Sequence, residues 1–295
     1  MTDLVILYRL YKLQNLPILG ALLMLLASVL IPPINLDQAV HDIQVTFDIT
    51  QSMNVGDVEI DSVGSSRLNM AKTAAQSLIT SLPCGSRIGW SVFSGQRSIT
   101  LVTPLDVCLH YAGLLASLDK IDGRMRWVEA SSIGRGLHQS MRAAQSIGDN
   151  IAVVFISDGH EAPPLRQGQR GMPDTAKLDV DGLIVGVGGD TPTRIPKSDA
   201  EGRIIGFWQA DEVVQQVNLS TGQSHEELSR LHEDHLIRLG QLANLTYVEL
   251  DSVEAIVDAV HNAGFSQIKS VPLDLRWVPA VLALLALCWR FMPRP

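Results

Sequence analysis

The chain has 295 residues, of which 46% are hydrophobic and 18% are charged, and its formal net charge is −8. The low charge and the mean hydropathy of +0.17 exclude an intrinsically disordered chain. Three cysteines are too few for a disulfide-dense miniature domain, and the negative charge argues against nucleic-acid binding. The hydrophobic surplus is concentrated at the two ends of the chain.

The first predicted element is an apolar helix near the N-terminus. Residues 13–36 contain no charged side chain, and about 20 apolar residues suffice to cross a bilayer as a helix. We predict a cytoplasmic tail over residues 1–16 and a transmembrane anchor over residues 17–36. The alternative is a cleaved signal peptide, because Arg9 and Lys12 precede the apolar run. The run is not followed by a small-residue cleavage site, which favours the anchor.

Strand-like and helix-like segments alternate through the middle of the chain. Short apolar or alternating runs indicate strands, and apolar residues at spacings of three and four indicate helices. In chain order the predicted elements are a strand at 43–47, a helix at 67–82, strands at 87–93 and 98–102, helices at 107–118 and 133–147, strands at 150–156 and 183–187, a helix at 236–243, a strand at 246–250 and a helix at 253–260. This alternation predicts the α/β class, with a doubly wound, mostly parallel sheet covered by helices on both faces.

A second apolar helix is predicted at the C-terminal end. We predict a transmembrane segment over residues 271–292 and a cytoplasmic tail over 293–295, with a buried core helix as the alternative because the apolar run is short. Basic residues outside both segments place the two ends in the cytoplasm and residues 37–270 in the periplasm, on a bacterial inner membrane. This middle part contains 18 Lys or Arg and 29 Asp or Glu, so its net charge is −11.

Side chains with oxygen atoms follow the predicted strands at three places. The three segments are Asp48-Ile-Thr50-Gln-Ser52, Ser131-Ser-Ile-Gly-Arg-Gly-Leu137 and Ser157-Asp158-Gly159. In a parallel sheet, ligands bind at the carboxyl ends of the strands, where these segments are expected to meet. Carboxylate and hydroxyl oxygens suit Mg²⁺, and also Mn²⁺ or Ca²⁺, better than Zn²⁺. The sequence therefore predicts a site for a divalent cation, with Mg²⁺ as the leading candidate.

These three segments resemble the metal-ion-dependent adhesion site (MIDAS) of von Willebrand factor type A (VWA) domains. The family pattern is D-x-S-x-S, a Thr ahead of an I/L-G-x-A/G-L helix start, and an Asp in a T/S-D-G turn. In this chain the matching positions are Asp48, Thr50, Ser52, Ser131 and Asp158. Thr50 stands where the pattern has Ser, and Ser131 stands where the pattern has Thr, so both positions keep a hydroxyl group. The resemblance implies a Rossmann-like VWA fold over residues 41–263, and a metal ion that binds the carboxylate of a protein partner.

A narrower resemblance concerns the arrangement of an anchor, a VWA domain and a C-terminal span. This arrangement is similar to that of Bat aerotolerance-type proteins. The local amino-acid sequence resembles more closely the membrane-anchored VWA proteins of methanol-oxidation gene clusters (MxaL type). The segments that carry the second likeness are 48–54, 82–87, 104–108, 158–163, 185–190, 195–197 and 205–208. It implies an accessory factor in the maturation or calcium insertion of periplasmic methanol dehydrogenase. The Bat likeness implies instead an envelope complex with other VWA subunits and, indirectly, a MoxR-type ATPase.

The cysteines have two alternative interpretations. Cys84 follows a predicted helix end and Cys108 follows a predicted strand end, which places both at the end of the sheet opposite the metal loops. In an exported domain they can form a disulfide, and two buried thiols are the alternative. Cys288 lies in the second apolar segment and is expected to be inert.

Histidines near the metal loops allow a second site to be considered. His232 and His235 share one helical face, which admits a second metal ion, but a solvated charged face is the better interpretation. His160 and Glu161 directly follow the third metal segment and are expected at the rim of the binding surface.

An enzymatic function is the least favoured alternative. A strand that ends in Asp48 also resembles the phosphotransferases of the haloacid dehalogenase type, which would make the chain a metal-dependent hydrolase. That chemistry needs a general acid two residues later, and Thr50 at that position cannot act as one. We therefore expect a binding protein without catalytic activity.

Overall fold

A computed structural model describes residues 2–165, 171–173, 178–215 and 225–292, with side chains from residue 16 onward. Its helices are α1 (Thr2–Leu30), α2 (Arg67–Ser81), α3 (Tyr111–Asp119), α4 (Ile133–Ile147), α5 (Glu233–Ala243), α6 (Ala255–Asn262) and α7 (Trp277–Phe291). Its strands are β1 (Ile34–Val40), β2 (Asp42–Asp48), β3 (Val58–Ile60), β4 (Val63–Ser65), β5 (Arg87–Ser94), β6 (Arg97–Asp106), β7 (Ala152–Ser157), β8 (Gly182–Gly186), β9 (Thr193–Arg194), β10 (Pro196–Ser198), β11 (Ile204–Phe207), β12 (Leu228–Ser229), β13 (Thr246–Glu249) and β14 (Gln267–Leu273). The described residues form two compact units, of which one is Ala39–Gln267 and the other contains the two ends.

The unit formed by the two ends contains α1, α7 and a two-stranded sheet of β1 and β14, and α1 packs against α7. The helix α1 stops at Leu30, ahead of Pro32 and Pro33, because a proline disfavours helical backbone angles in the residue that precedes it. The last residues of the predicted span 17–36 and the first of the predicted span 271–292 therefore lie in strands. In the described part of the chain, no helix is both long and apolar enough to cross a membrane. The two spans stay predictions, and the tail 293–295 lies outside the described residues.

The second unit is built on a six-stranded sheet within the described residues, in the order β13-β8-β7-β2-β5-β6. The first five strands run parallel, and β6 returns antiparallel to β5 at the edge. The sheet is parallel-rich and covered by helices, so the predicted α/β class is confirmed. The predicted strands and helices of this unit all appear, with bounds that differ by a few residues.

The core lies on both faces of this sheet. On one face Val45 and Phe47 of β2 pack with α2, α3 and α6, and on the other face Phe155 of β7 packs with α4 and α5. A Cβ atom at Gly136 of α4 would lie 2.2 Å from the ring of Phe93. The glycine therefore allows α4 to approach the sheet closely, which brings the N-terminal end of α4 toward the ends of the strands.

Short strand pairs add to the unit in places where the sequence pattern predicts none. β10 pairs with β11, β9 pairs with β12, and β3 pairs with β4, all antiparallel. These strands have two to four residues, which is too short for a periodic pattern to be visible. The β10–β11 hairpin matters below because the residue that follows it reaches the candidate site.

Cys84 and Cys108 form a disulfide whose Cα atoms are 5.3 Å apart. The two cysteines flank β5 and β6 in the sequence, and Cys84 lies just before the start of β5. Arg87 at the start of β5 pairs with Asp42 at the start of β2, so the disulfide lies at the end of the sheet where β2 begins. The site residues lie at the other end of these strands. Cys288 is exposed and has a free thiol.

Candidate metal centre

The five residues of the metal pattern lie together at the carboxyl ends of neighbouring parallel strands. Asp48 is the last residue of β2, and Asp158 directly follows β7, the strand that pairs with β2. Thr50 and Ser52 lie in the turn after β2, and Ser131 lies two residues before α4. All five are at least 95% buried. The pairing of β2 with β7 and the position of the start of α4 therefore bring these five residues into one small region.

Asp48 organises the first loop through three hydrogen bonds. Its Oδ1 accepts the Thr50 backbone N–H at 2.9 Å and the Thr50 hydroxyl at 2.7 Å, and its Oδ2 accepts the Ser157 hydroxyl at 2.7 Å. The hydroxyl oxygens of Thr50 and Ser52 are 3.2 Å apart. The carboxylate and two hydroxyls of the predicted pattern are thus in mutual contact, and their oxygens are held close together.

Asp158 is held from both sides. Its Oδ1 accepts the His160 backbone N–H at 3.0 Å. Its Oδ2 accepts Nη1 of Arg67 at 2.6 Å and the Ser229 hydroxyl at 3.1 Å. Arg67 is completely buried and was not among the residues predicted for the site.

Ser131 supplies the observation that tests whether these residues fit a cation. Its hydroxyl oxygen is buried and has no hydrogen-bond partner among the described groups. A buried hydroxyl without a partner costs about 1–3 kcal/mol. The cost would be recovered by an oxygen-preferring cation next to it. Two carboxylates and three hydroxyls are the donor types that Mg²⁺, Mn²⁺ and Ca²⁺ select, so the residues present fit the predicted ion.

The two carboxylates differ in their proton affinity. Burial, and next to it the charge of Asp158, raise the pKa of Asp48 to about 7. Burial also opposes ionisation of Asp158, but the Arg67 guanidinium outweighs it and lowers the pKa of Asp158. Near neutral pH the site therefore contains one firmly ionised carboxylate and one that is half protonated. Cation binding at neutral pH should release a proton from Asp48.

A cavity of about 260 Å³ is lined by the three hydroxyl residues of the centre. Its apolar walls include Pro163, Ile195 and Trp208, and its lining also contains His160 and Glu161. These last two were expected at a rim, and the structure places both against the cavity although they are buried. The candidate metal residues Thr50, Ser52 and Ser131 therefore face a cavity with partly apolar walls.

Gln51 connects this cavity to two distant parts of the chain. It lies between two residues of the first metal loop, and its Oε1 accepts the indole N–H of Trp208. Its Nε2 donates to Glu129 Oε2 at 2.7 Å. Lys197 of β10 lies 4.5 Å above the Trp208 ring. The β10–β11 hairpin is thereby fastened to the metal loop.

The histidines form a half-buried group next to the centre. The rings of His160 and His232 are 5.5 Å apart in an edge-to-face arrangement, and His235 Nε2 lies 3.1 Å from Glu161 Oε1. Burial, and next to it the charge of His160, lower the pKa of His232 to about 4. In the described part of the chain no three His, Cys, Asp or Glu residues are grouped as metal ligands. The charged side chains of Glu233 and Asp234 are exposed, as the predicted solvated face requires, whereas His232 and His235 lie mostly below the surface.

The residues missed from the sequence are Arg67, Asp57, Ser229, Gln51 and Trp208. A signal for Arg67 was present, because Arg67, Ala71, Ala74 and Leu78 follow the spacing of one helical face, and the last three are buried. A charged residue on such a face predicts a buried ion pair. The other four lie in loops or short strands, and no periodic pattern marks them.

The fold and the site together define a VWA-type domain. The sheet is parallel-rich, helices cover both faces, and the residues of the MIDAS pattern meet at the carboxyl ends of β2 and β7. This arrangement fits the VWA fold that the sequence motif predicted.

Comparison with solved structures finds proteins of similar fold. An aerotolerance-related membrane protein from Bacteroides fragilis is 19% identical, with a TM-score of 0.55 over 76% of this chain and 98% of that chain. BatB from Bacteroides thetaiotaomicron is 19% identical, with a TM-score of 0.53 over 75% and 95%. A von Willebrand factor type A protein from Catenulispora acidiphila is 11% identical, with a TM-score of 0.43 over 86% and 46%. The chain has a VWA fold and is similar in structure to the Bat proteins. No protein-family model and no curated protein matches it.

Proposed function

We propose that this chain is a membrane-associated VWA protein that binds a protein partner through a divalent cation. The residues that would hold the ion are Asp48, Thr50, Ser52, Ser131 and Asp158. The observation that carries the proposal is the buried hydroxyl of Ser131, which has no hydrogen-bond partner in the described part of the chain and belongs to a residue that lines the same cavity as Thr50 and Ser52. We propose Mg²⁺ as the ion, with Mn²⁺ and Ca²⁺ as the alternatives.

The charge of the chain explains why an ion would be needed. Residues 37–270 carry a net charge of −11, so an acidic group of a partner would be repelled by the domain alone. A bound cation supplies local positive charge to which a partner carboxylate can bind. The chain's own residues position the oxygens, and the apolar walls of the cavity exclude water from the contact.

The proposal predicts that Ser131→Ala weakens metal binding without loss of stability. Within the described residues the Ser131 hydroxyl makes no hydrogen bond, so its removal should leave the melting temperature of the metal-free chain at or above that of the wild type. The affinity of the purified full chain for Mn²⁺, measured by isothermal titration calorimetry, should fall about tenfold or more. Ser140→Ala is the matched control, because Ser140 of α4 is also buried but its hydroxyl donates to Gly136 O at 3.0 Å.

The control should show the opposite pattern, with a lower melting temperature and unchanged Mn²⁺ affinity. Equal Mn²⁺ affinity in the wild type and Ser131→Ala would contradict the proposed ligand set. A wild-type chain that binds neither Mn²⁺ nor Mg²⁺ would overturn the metal-dependent function.

Two biological contexts are proposed for this binding. The structural similarity to BatB supports a Bat-like envelope complex that contains other VWA subunits and depends indirectly on a MoxR-type ATPase. The sequence resemblance to the VWA proteins of methanol-oxidation clusters supports a role in the maturation or calcium insertion of methanol dehydrogenase. The calcium content of methanol dehydrogenase, measured in cells that carry Asp48→Ala, distinguishes the two contexts. Loss of calcium would support the role in methanol dehydrogenase maturation, and a normal calcium content would favour the Bat-like complex.

We propose that the chain is anchored in a bacterial inner membrane with residues 37–270 in the periplasm. The apolar runs at both ends and the basic residues outside them support this topology. A reporter fused at Asn262 should be active as a periplasmic reporter. Cytoplasmic activity of the reporter would overturn the proposed location.

We also propose that the centre binds without catalysing a reaction. Thr50 stands where a phosphotransferase would need a general acid. Phosphatase activity of the purified chain that is lost in Asp48→Asn would contradict this proposal.

A further inference from the structure

Arg67 is buried beside the metal centre, and its side chain has no exposed surface. Its Nε and Nη2 donate to the two carboxylate oxygens of Asp57 at 2.9 and 2.6 Å. Its Nη1 donates to Asp158 Oδ2 at 2.6 Å. A single fixed cation thus joins two carboxylates, of which one belongs to the metal centre.

The surroundings of Arg67 are shaped for its guanidinium group. Nη1 donates to the Ser229 hydroxyl at 2.7 Å, and Nη2 donates to the Ser229 carbonyl at 3.2 Å. Asp57 Oδ2 also accepts the Gly189 N–H at 3.0 Å. A Cβ atom at Gly188, whose φ is +138°, would lie 2.7 Å from Arg67 Nε. Arg67 therefore ties the loops that follow β7 and β8 to the start of α2.

The pairing changes the charge that an entering ion would meet. Asp158 accepts from Arg67 and Ser229 on one oxygen and from the His160 amide on the other. Among the described residues, the donors to Asp48 are the Thr50 N–H, the Thr50 hydroxyl and the Ser157 hydroxyl, which are all neutral. Arg67 Nη1 lies 2.6 Å from Asp158 Oδ2, and its positive charge compensates the charge of Asp158. An entering ion would therefore meet one carboxylate without a cationic partner, that of Asp48.

Building on the proposed function, we infer that Arg67 is a permanent counter-ion of the metal centre, which holds Asp158 and its loops in place without an ion and limits the affinity for a divalent cation. The centre would then lose its ion without unfolding, because Asp158 keeps a charged partner. The bound ion would retain more of its charge for the carboxylate of the partner.

The double variant Arg67→Met with Asp57→Asn tests this inference. It removes the cation next to Asp158 together with the outer carboxylate, so the net charge of the chain is unchanged. Isothermal titration calorimetry on the full chain should show Mg²⁺ binding at least about tenfold tighter than in the wild type. Its melting temperature should also rise more steeply with Mg²⁺ concentration, because Asp158 now depends on the ion for a charged partner.

The matched control is Arg87→Met with Asp42→Asn. This pair is also a two-pronged Arg–Asp contact, with 3.0 and 2.5 Å between the paired atoms, and it lies at the opposite end of β2. It should change stability but leave Mg²⁺ affinity as in the wild type. Tighter Mg²⁺ binding in both double variants would show that loss of any Arg–Asp pair in the domain raises the affinity, and would overturn the inference.

Two other outcomes separate the inference from the proposed function. Unchanged or weaker Mg²⁺ binding in the Arg67 double variant, with a wild type that binds Mg²⁺, would reject the role of Arg67 and leave the proposed function intact. Absence of Mg²⁺ and Mn²⁺ binding in both chains would reject the proposed function and the inference with it.

A measurement on the wild type covers the case in which the double variant fails to fold. In the full chain labelled with ¹⁵N-arginine, saturating Mg²⁺ should shift the Nη1–H resonances of Arg67, because Nη1 donates to Asp158 and this carboxylate is then shared between two cations. The resonance of Arg87 should stay in place. An Arg67 resonance that does not respond to Mg²⁺, in a chain shown by calorimetry to bind it, would overturn the inference.

Discussion

Asp48 carries a charge that the metal-free fold tolerates poorly. Burial and the neighbouring Asp158 raise its pKa to about 7, whereas an unfolded aspartate titrates near pH 4. The folded chain therefore binds a proton more tightly than the unfolded chain. The stability from this proton is fully present below about pH 4 and is lost as the pH rises through about 7.

Asp48→Asn should remove this dependence on pH. In the presence of a chelator, the wild-type free energy of unfolding should fall between about pH 4 and 7 through this group, and that of the variant should not. At pH 8 the variant should be about 1–3 kcal/mol more stable, since part of the gain is offset by altered hydrogen bonds. Urea denaturation at pH 5 and pH 8 measures both values.

Mg²⁺ provides the control for the Asp48 prediction. It should stabilise the wild type at pH 8 by mass action and leave Asp48→Asn unaffected. Parallel pH profiles of the two chains in chelator would show that Asp48 does not have a raised pKa.

The β10–β11 hairpin is the element that connects the metal loop to the cavity wall. Trp208 follows β11 directly and donates its indole N–H to Gln51, and its backbone N–H bonds to Ile195 O at 3.1 Å. Lys197 adds a cation–π contact and pairs with Glu212 at 2.6 Å. These contacts join residues up to 157 positions apart in the sequence, so no local pattern could indicate them.

Trp208→Phe should loosen the hairpin without disturbing the metal centre. The variant retains an aromatic ring but loses one side-chain hydrogen bond, which is worth about 1 kcal/mol. Amide hydrogen exchange of residues 196–207 should accelerate about fivefold, while Mn²⁺ affinity changes less than about twofold. Trp127→Phe, at a tryptophan that is 39% exposed, is the control and should leave the hairpin protection unchanged. Equal protection in all three chains would show that the Gln51–Trp208 bond does not hold the hairpin.

At the scale of the whole molecule, the Cys84–Cys108 disulfide closes a segment across 24 positions that contains β5 and the edge strand β6. A loop of this length predicts a contribution of about 3 kcal/mol, because the bond restricts the unfolded chain. The double variant Cys84→Ser with Cys108→Ser should lose this amount in urea denaturation. Its Mg²⁺ affinity should stay unchanged, because the bond lies at the end of the strands opposite Asp48.

Cys288→Ser is the reference for the disulfide prediction. Cys288 has a free, exposed thiol, so its replacement should change the free energy of unfolding by less than about 0.5 kcal/mol. A double cysteine variant as stable as this reference would show that the Cys84–Cys108 bond contributes nothing to stability.

The sequence by itself predicted the α/β class, the chain order of the strands and helices around the six-stranded sheet, and five candidate residues for a metal site. Alternating apolar runs follow strand and helix periods, and the carboxyl ends of parallel strands meet at one edge, so Asp48 and Asp158 could be placed together from local patterns alone.

Only the tertiary structure decided which charges surround the candidate metal residues, which elements lie over them and which cavity opens to them. The contacts of Arg67 with Asp158 and Ser229 span 91 and 162 positions, and the Ser131 hydroxyl is without a partner only because of what surrounds it. Such contacts depend on how loops pack in three dimensions, and the periodicity of a sequence carries no record of them. The sequence therefore predicts which oxygens could hold an ion, and the packing determines the charge that this ion would meet.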